Sequence, residues 1–128
     1  MKYLLIHMAD EIALAELPPG ELDRIVAEKT RVGQEIWSQG KEILGQRLWP
    51  TATATRVTRV GGRFVTVDGP FCETREVVGG FDLIQCASRE EALEWARRHA
   101  VHDGPTVEVR PVWERCLCHG SYTCSSPL

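Results

Sequence analysis

Asp68-Gly69-Pro70-Phe71-Cys72-Glu73-Thr74-Arg75-Glu76, followed closely by Gly79-Gly80-Phe81, sets a run of ionisable side chains beside residues that turn the chain. Asp before Gly-Pro is turn chemistry: Gly69 accepts unusual dihedrals, and Pro70 fixes its own φ and lacks a donor. Glu73, Arg75 and Glu76 then arrive just before a glycine pair that lets backbone approach backbone. Asp68 is the acid–base candidate of the run, with Glu73 as a helper. A tight surface turn carrying solvated charges would have the same composition, so the motif marks a place rather than a reaction.

Four histidines are further acid–base candidates. His99 falls at the end of a helical pattern, where a cation gains from the helix dipole. His102 and Asp103 stand in the loop that follows. Cys72 has no neighbouring histidine in sequence to form a nucleophilic dyad. The tail collects Cys116, Cys118, His119 and Cys124. Zinc sites space the ligands within each pair by two to four residues and separate the pairs widely. Cys118 and His119 are adjacent, a poor start for a tetrahedron, so no metal is expected. No phosphate loop, dinucleotide fingerprint or serine-hydrolase elbow occurs, and no cofactor is expected.

The elements that must position these residues read in order. Tyr3–His7 is a short apolar run suited to a central strand. Asp10 to Leu17 holds a helical turn that Pro18-Pro19-Gly20 stops. Leu22, Ile25, Val26, Lys29, Val32 and Ile36 recur at helical spacing, predicting an amphipathic helix that ends near Gly40. Lys41–Trp49 reads as a second strand. Arg56–Val60 and Arg63–Val67 flank Gly61-Gly62, a two-residue hairpin signal. Pairing across it puts Val60 opposite Arg63 and Arg59 opposite Phe64, so neither face is cleanly apolar and the hairpin should project, partly solvated. Phe81–Cys86 is the next strand. Ser88 and Glu91 form a capping box for a helix to about His99 that buries Ala92, Leu93 and Ala96. Thr106–Trp113 is the closing strand.

That order predicts an α+β fold: one antiparallel sheet with both helices on one face and an inserted β-hairpin. The other face then needs cover, most simply a second copy of the chain, with a pocket between the two sheets. In the last strand Val107 and Val109 belong to the helix-covered face, which leaves Glu108 and Arg110 pointing the other way. They are either pocket residues or a plain ion pair. Asp82 sits between Phe81 and Leu83, and His7 lies beside Tyr3 and Leu5. Ionisable groups on covered strands must be paired or solvated.

Bulk properties fit one soluble domain. At 128 residues, 43% hydrophobic and 26% charged, the chain can bury one core. A net charge of -3 provides no basic field for a phosphate backbone, so no direct nucleic-acid partner is expected. No apolar run reaches membrane length, and Leu4-Leu5-Ile6 is too short for an export signal. The five cysteines are therefore expected as free thiols rather than a disulfide framework.

Met1-Lys2-Tyr3-Leu4-Leu5-Ile6, Pro50-Thr51-Ala52-Thr53-Ala54-Thr55, the Asp68–Phe81 block, Glu91-Ala92-Leu93-Glu94-Trp95-Ala96 and Val107-Glu108-Val109-Arg110-Pro111-Val112 together resemble the DGPF branch of the YCII-related family, in the same order. The resemblance implies a domain over residues 1–113 with a cysteine-containing tail over 114–128. It also implies a ferredoxin-like subunit that dimerises into an α/β barrel in the bacterial cytoplasm. Family members are thought to use a His and an Asp in the pocket, but Pro19–Gly40 contains no counterpart of the family's first-helix histidine. Gln46 stands where the family usually has Glu, Arg75 where Lys is common, and Ala100 where Pro usually follows.

Two function classes follow. In the first, a cofactor-independent enzyme with lyase-, isomerase- or dehydrochlorinase-like chemistry handles a small organic molecule. Asp68 is then the acid or base, His99 a second proton carrier and Arg110 the anchor for an anionic substrate, with Phe71, Glu73, Gln46 and Glu108 lining the site. In the second, the chain is a non-catalytic ligand-binding or regulatory module associated with an extracytoplasmic-function sigma factor.

Overall fold

The computed structural model describes residues 1–70 and 74–113 fully, together with the backbone of 115–116 and 121–122. Among the described residues, eight strands and three α-helices run in the order β1 (Lys2–Asp10), α1 (Glu11–Ala15), α2 (Glu21–Ser38), β2 (Glu42–Arg47), β3 (Thr55–Val60), β4 (Arg63–Asp68), β5 (Glu76–Gln85), α3 (Arg89–His99), β6 (Val107–Pro111), β7 (Arg115–Cys116) and β8 (Ser121–Tyr122). Four of the strands form one antiparallel sheet in the order β2-β5-β1-β6. Leaving out the inserted β3–β4 hairpin, the path is strand–helix–strand–strand–helix–strand, with the first and third strands central. This is the single antiparallel sheet that the order of elements predicts, in the ferredoxin-like arrangement that the family resemblance implies.

The two long helices form for reasons visible locally. In α2 the stripe Ile25, Val32 and Ile36 is buried, and the opposite face carries exposed pairs such as Arg24–Glu21 and Arg31–Glu28. Ser88 caps α3 by accepting a hydrogen bond from Glu91 N–H at 3.2 Å. The reciprocal half of the capping box is displaced by one residue: Glu91 Oε2 accepts from Ala87 N–H at 2.8 Å, while Oε1 pairs with Lys41. The buried face of α3 is Ala92, Trp95, Ala96 and His99; Leu93 is only half-buried. The buried stripe is centred on Ala92, Trp95, Ala96 and His99 at three- and four-residue steps, which leaves Leu93 at its edge.

Strand parity places the core. Tyr3 and Leu5 of β1 and Ile84 of β5 pack with Val32, Ile36, Ala92, Trp95 and Ala96, and Val107 and Val109 join them from β6. Removing such side chains from water supplies roughly 1.5–3 kcal/mol each. Cys86, a free thiol, lies in the same cluster.

β5 starts five residues before Phe81, the first residue that the apolar pattern marks as strand. Glycines obscure that pattern, and they are there for contact. A Cβ on Gly80 would stand 2.8 Å from the Gln46 carbonyl oxygen, and one on Gly79 would stand 2.9 Å from Ala9 Cβ. Gly79 is also the extra residue of a bulge, since His7 pairs with Gly80 and Met8 with Val78. The hairpin has the expected register, Val60 opposite Arg63 and Arg59 opposite Phe64. Gly61 and Gly62 both have positive φ, 57° and 78°, as a two-residue turn of this type requires. The hairpin makes its own two-stranded sheet and is exposed along nearly its whole length.

Candidate functional site

The principal ionisable cluster lies on the helix-covered face of the sheet. On β1 the side chains of Tyr3, Leu5 and His7 share one face. On β5, Asp82 pairs with Leu5 and so shares that face; His7, opposite Gly80, is its diagonal neighbour. His7 Nε2 and Asp82 Oδ2 are 2.5 Å apart, with side chains 14% and 13% exposed. The last residue of α3 completes the cluster. His99 is 2% exposed, its Nε2 lies 3.5 Å from Asp82 Oδ2, and its ring centroid is 4.7 Å from that of His7.

Space for the carboxylate comes from β2. Gly45 pairs with Asp82, and a Cβ on Gly45 would overlap both Asp82 Oδ1 and Glu42 Oε1. Glu42 is therefore turned towards the same volume. Burial, reinforced by the Asp82 charge, pushes its carboxyl pKa up. From α2, Lys29 Nζ donates to the His99 carbonyl at 2.8 Å, which also accepts from Val101 N–H at 2.9 Å. Burial lowers the Lys29 pKa, and Asp82 opposes that effect.

His99 is not the cation that a helix C-terminus would favour. Burial, with the neighbouring His7 next in weight, lowers its pKa to about 4 despite Asp82, leaving a neutral imidazole at pH 7. Neither of its ring nitrogens makes a hydrogen bond within the described residues, and neither does His7 Nδ1. Buried polar atoms are rarely left so.

The residues that the sequence nominated are dispersed. Asp68 ends β4 in an exposed position, with Thr55 Oγ1 at 3.5 Å. Arg110 and Glu108 lie on the opposite face of the sheet from His99 and form an exposed ion pair at 3.6 Å, with side chains 68% and 53% exposed. Gln46 pairs with Phe81 and is exposed. Phe71, Cys72 and Glu73 fall outside the described residues, as do Cys118, His119 and Cys124; Cys116 is described only as backbone. Of the nominated catalytic residues, the structure brings only His99 into the cluster.

The motif after Asp68 has a structural partner as well. Arg75 Nε donates to Asp10 Oδ2 at 2.5 Å, and Asp10 Oδ1 caps α1 by accepting from Ala13 N–H at 2.9 Å. The cap, followed by Arg75, holds the Asp10 carboxyl below its usual range. Both residues line a cleft of about 360 Å³ together with Leu14, Leu17, His102 and Pro105. The cleft lies where β1 leaves the sheet. His102, half-buried there, has its pKa lowered by burial.

His7 and Asp82 were visible in the sequence as ionisable residues in apolar strands, yet nothing local joined them. The signal was parity: each shares a face with core residues and so needed a partner.

Comparison with known proteins adds two findings. Residues 1–115 match the family model described as YCII-related domain. An uncharacterised protein of Rhizobium meliloti (strain 1021) is 34% identical over 114 residues, covering 88% of this chain and 92% of that protein.

Proposed function

For a chain that belongs to the YCII-related family, we propose an enzyme that moves a proton on a small organic molecule, with His7 and Asp82 as the acid–base pair. The observation that carries this reading is the 2.5 Å contact between His7 Nε2 and Asp82 Oδ2 in a partly covered position. An imidazole held by a carboxylate is oriented, and its charged form is stabilised as it takes a proton. The cleft beside Asp10, Arg75 and His102 is separate from this pair, since neither His7 nor Asp82 lines it, and Arg75 there is already tied to Asp10.

A homodimer belongs to the same proposal. Leu4, Ile6, Phe81 and Leu83 lie on the sheet face away from the helices, and Leu44 beside them is 47% exposed. A second copy would cover that face.

The test is a proton-exchange screen by NMR in deuterated water against small carbon acids and phenols. Deuterium entry at carbon that is lost in His7→Gln is the expected result. A ligand that binds without exchange would instead support a non-catalytic, regulatory module. The specific support for that reading is the projecting hairpin, where Val57 and Phe64 are 67% and 75% exposed, a surface suited to a protein partner such as a sigma factor.

A further inference from the structure

We propose that His7 Nε2, Asp82 Oδ2 and His99 Nε2 are ligands of a divalent transition-metal ion, with Zn²⁺ as the reference ion. The inference rests on the reading of this cluster as the working site and changes the agent that carries out its chemistry.

The donor atoms of the three side chains all lie within 4.8 Å of one another. Two imidazoles and one carboxylate are the donor set of zinc enzymes and of non-haem iron sites, which keep a position open. Bonds of about 2.0–2.2 Å in a tetrahedron place donors about 3.4 Å apart. The Asp82–His99 separation of 3.5 Å already meets that spacing, whereas His7 at 2.5 Å must withdraw by about an ångström. His7 and Asp82 keep some exposure, so the cluster is not sealed from solvent.

The independent observation is His99. A nearly fully buried imidazole with no hydrogen bond at either ring nitrogen is costly unless something else occupies a lone pair. Glu42, turned towards Asp82 over Gly45, adds a carboxyl beside the ligand shell that can orient Asp82 or a bound water. With a cation in place, His7 Nε2 would be a ligand rather than the acid–base group, and the ion would supply the acid–base chemistry by acidifying a water at its open position.

The test uses the full chain, stripped with a chelator and titrated with Zn²⁺ by calorimetry and with Co²⁺ by absorption. The cysteine-containing tail is controlled by a variant carrying Cys116→Ser, Cys118→Ser and Cys124→Ser. One Co²⁺ should bind per chain, without a sulfur-to-cobalt charge-transfer band, and binding should persist in the serine variant. His7→Gln should weaken it by about 100-fold or more. Because His99 is buried, His7→Gln serves as the principal variant, and circular dichroism verifies its fold. Three results would overturn the site: no saturable binding, unchanged affinity in His7→Gln, or a thiolate band that disappears with the cysteines. The enzyme reading fails separately. Deuterium exchange by metal-free protein that binds no Zn²⁺ would sink the metal site alone, and Zn²⁺ binding without any exchange would sink the acid–base reading alone.

Discussion

Gly45 faces Asp82 across the β2–β5 pair, and a Cβ there would overlap the Asp82 carboxylate where it now lies, so that the side chains around it would have to shift. The glycine thus works as a positioning residue, since its missing side chain lets Asp82 reach His7. Gly45→Ala should displace Asp82 and Glu42 together. A misplacement of about 1 Å can cost about 100-fold in rate. Overpacking should cost about 1–3 kcal/mol in stability. Deuterium exchange and urea denaturation measured on the same variant check both effects. Full activity in Gly45→Ala would show that the Asp82 position is irrelevant.

Asp68 and Asp82 offer a direct contrast. One is exposed at the end of a projecting hairpin; the other sits within 2.5 Å of a histidine under the helices. Asp68→Asn should leave exchange near its wild-type rate. Asp82→Asn keeps the shape but removes the carboxylate that holds the His7 ring in place, and should lower the rate about 10²–10⁴-fold. The reverse ranking would return the chemistry to the hairpin.

The contrast also explains what could be read in advance. α2, α3 and the β3–β4 hairpin are specified by neighbours in sequence: a helical stripe, Ser88 as a cap, and Gly61-Gly62 at the turn. Parity likewise separated Val107 and Val109 from Glu108 and Arg110, and the two valines pack against the core. The site had no such local signal. His7 and Asp82 are 75 residues apart, and they meet only because β1 and β5 pair with Leu5 opposite Asp82. The bulge at Gly79 shifts the register just beyond His7, and no pattern of apolar residues encodes that shift. Asp68 drew attention because turn chemistry is conspicuous in sequence, whereas a diagonal pair on adjacent strands is not.

The open face of the sheet gives an assembly test. Leu83 is opposite Leu4 on β1 and Leu44 on β2, at the centre of an apolar stripe. A carboxylate there would have to be desolvated in any interface formed by this face. Light scattering should give twice the chain mass for the wild type and the chain mass for Leu83→Glu, with the helical circular-dichroism signal retained. A wild-type monomer would remove the dimer from the proposal.

Acid should expose the cost of burying His99. Its folded-state pKa, about 4, lies below the ordinary histidine value of 6.5, because burial disfavours the charged form and His7 and Lys29 add to that effect against Asp82. The unfolded chain therefore binds a proton at a higher pH than the folded chain does. The sign follows: this contribution to stability is fully present above pH 6.5 and is lost progressively as the pH falls towards 4. Between pH 7 and pH 5 the metal-free protein should lose about 2 kcal/mol from this group. Urea midpoints at the two pH values measure the loss. A His99→Gln variant that still folds should show a smaller difference, because its buried side chain does not titrate. An equal pH dependence in the two proteins would mean that other groups, and not His99, set the acid sensitivity.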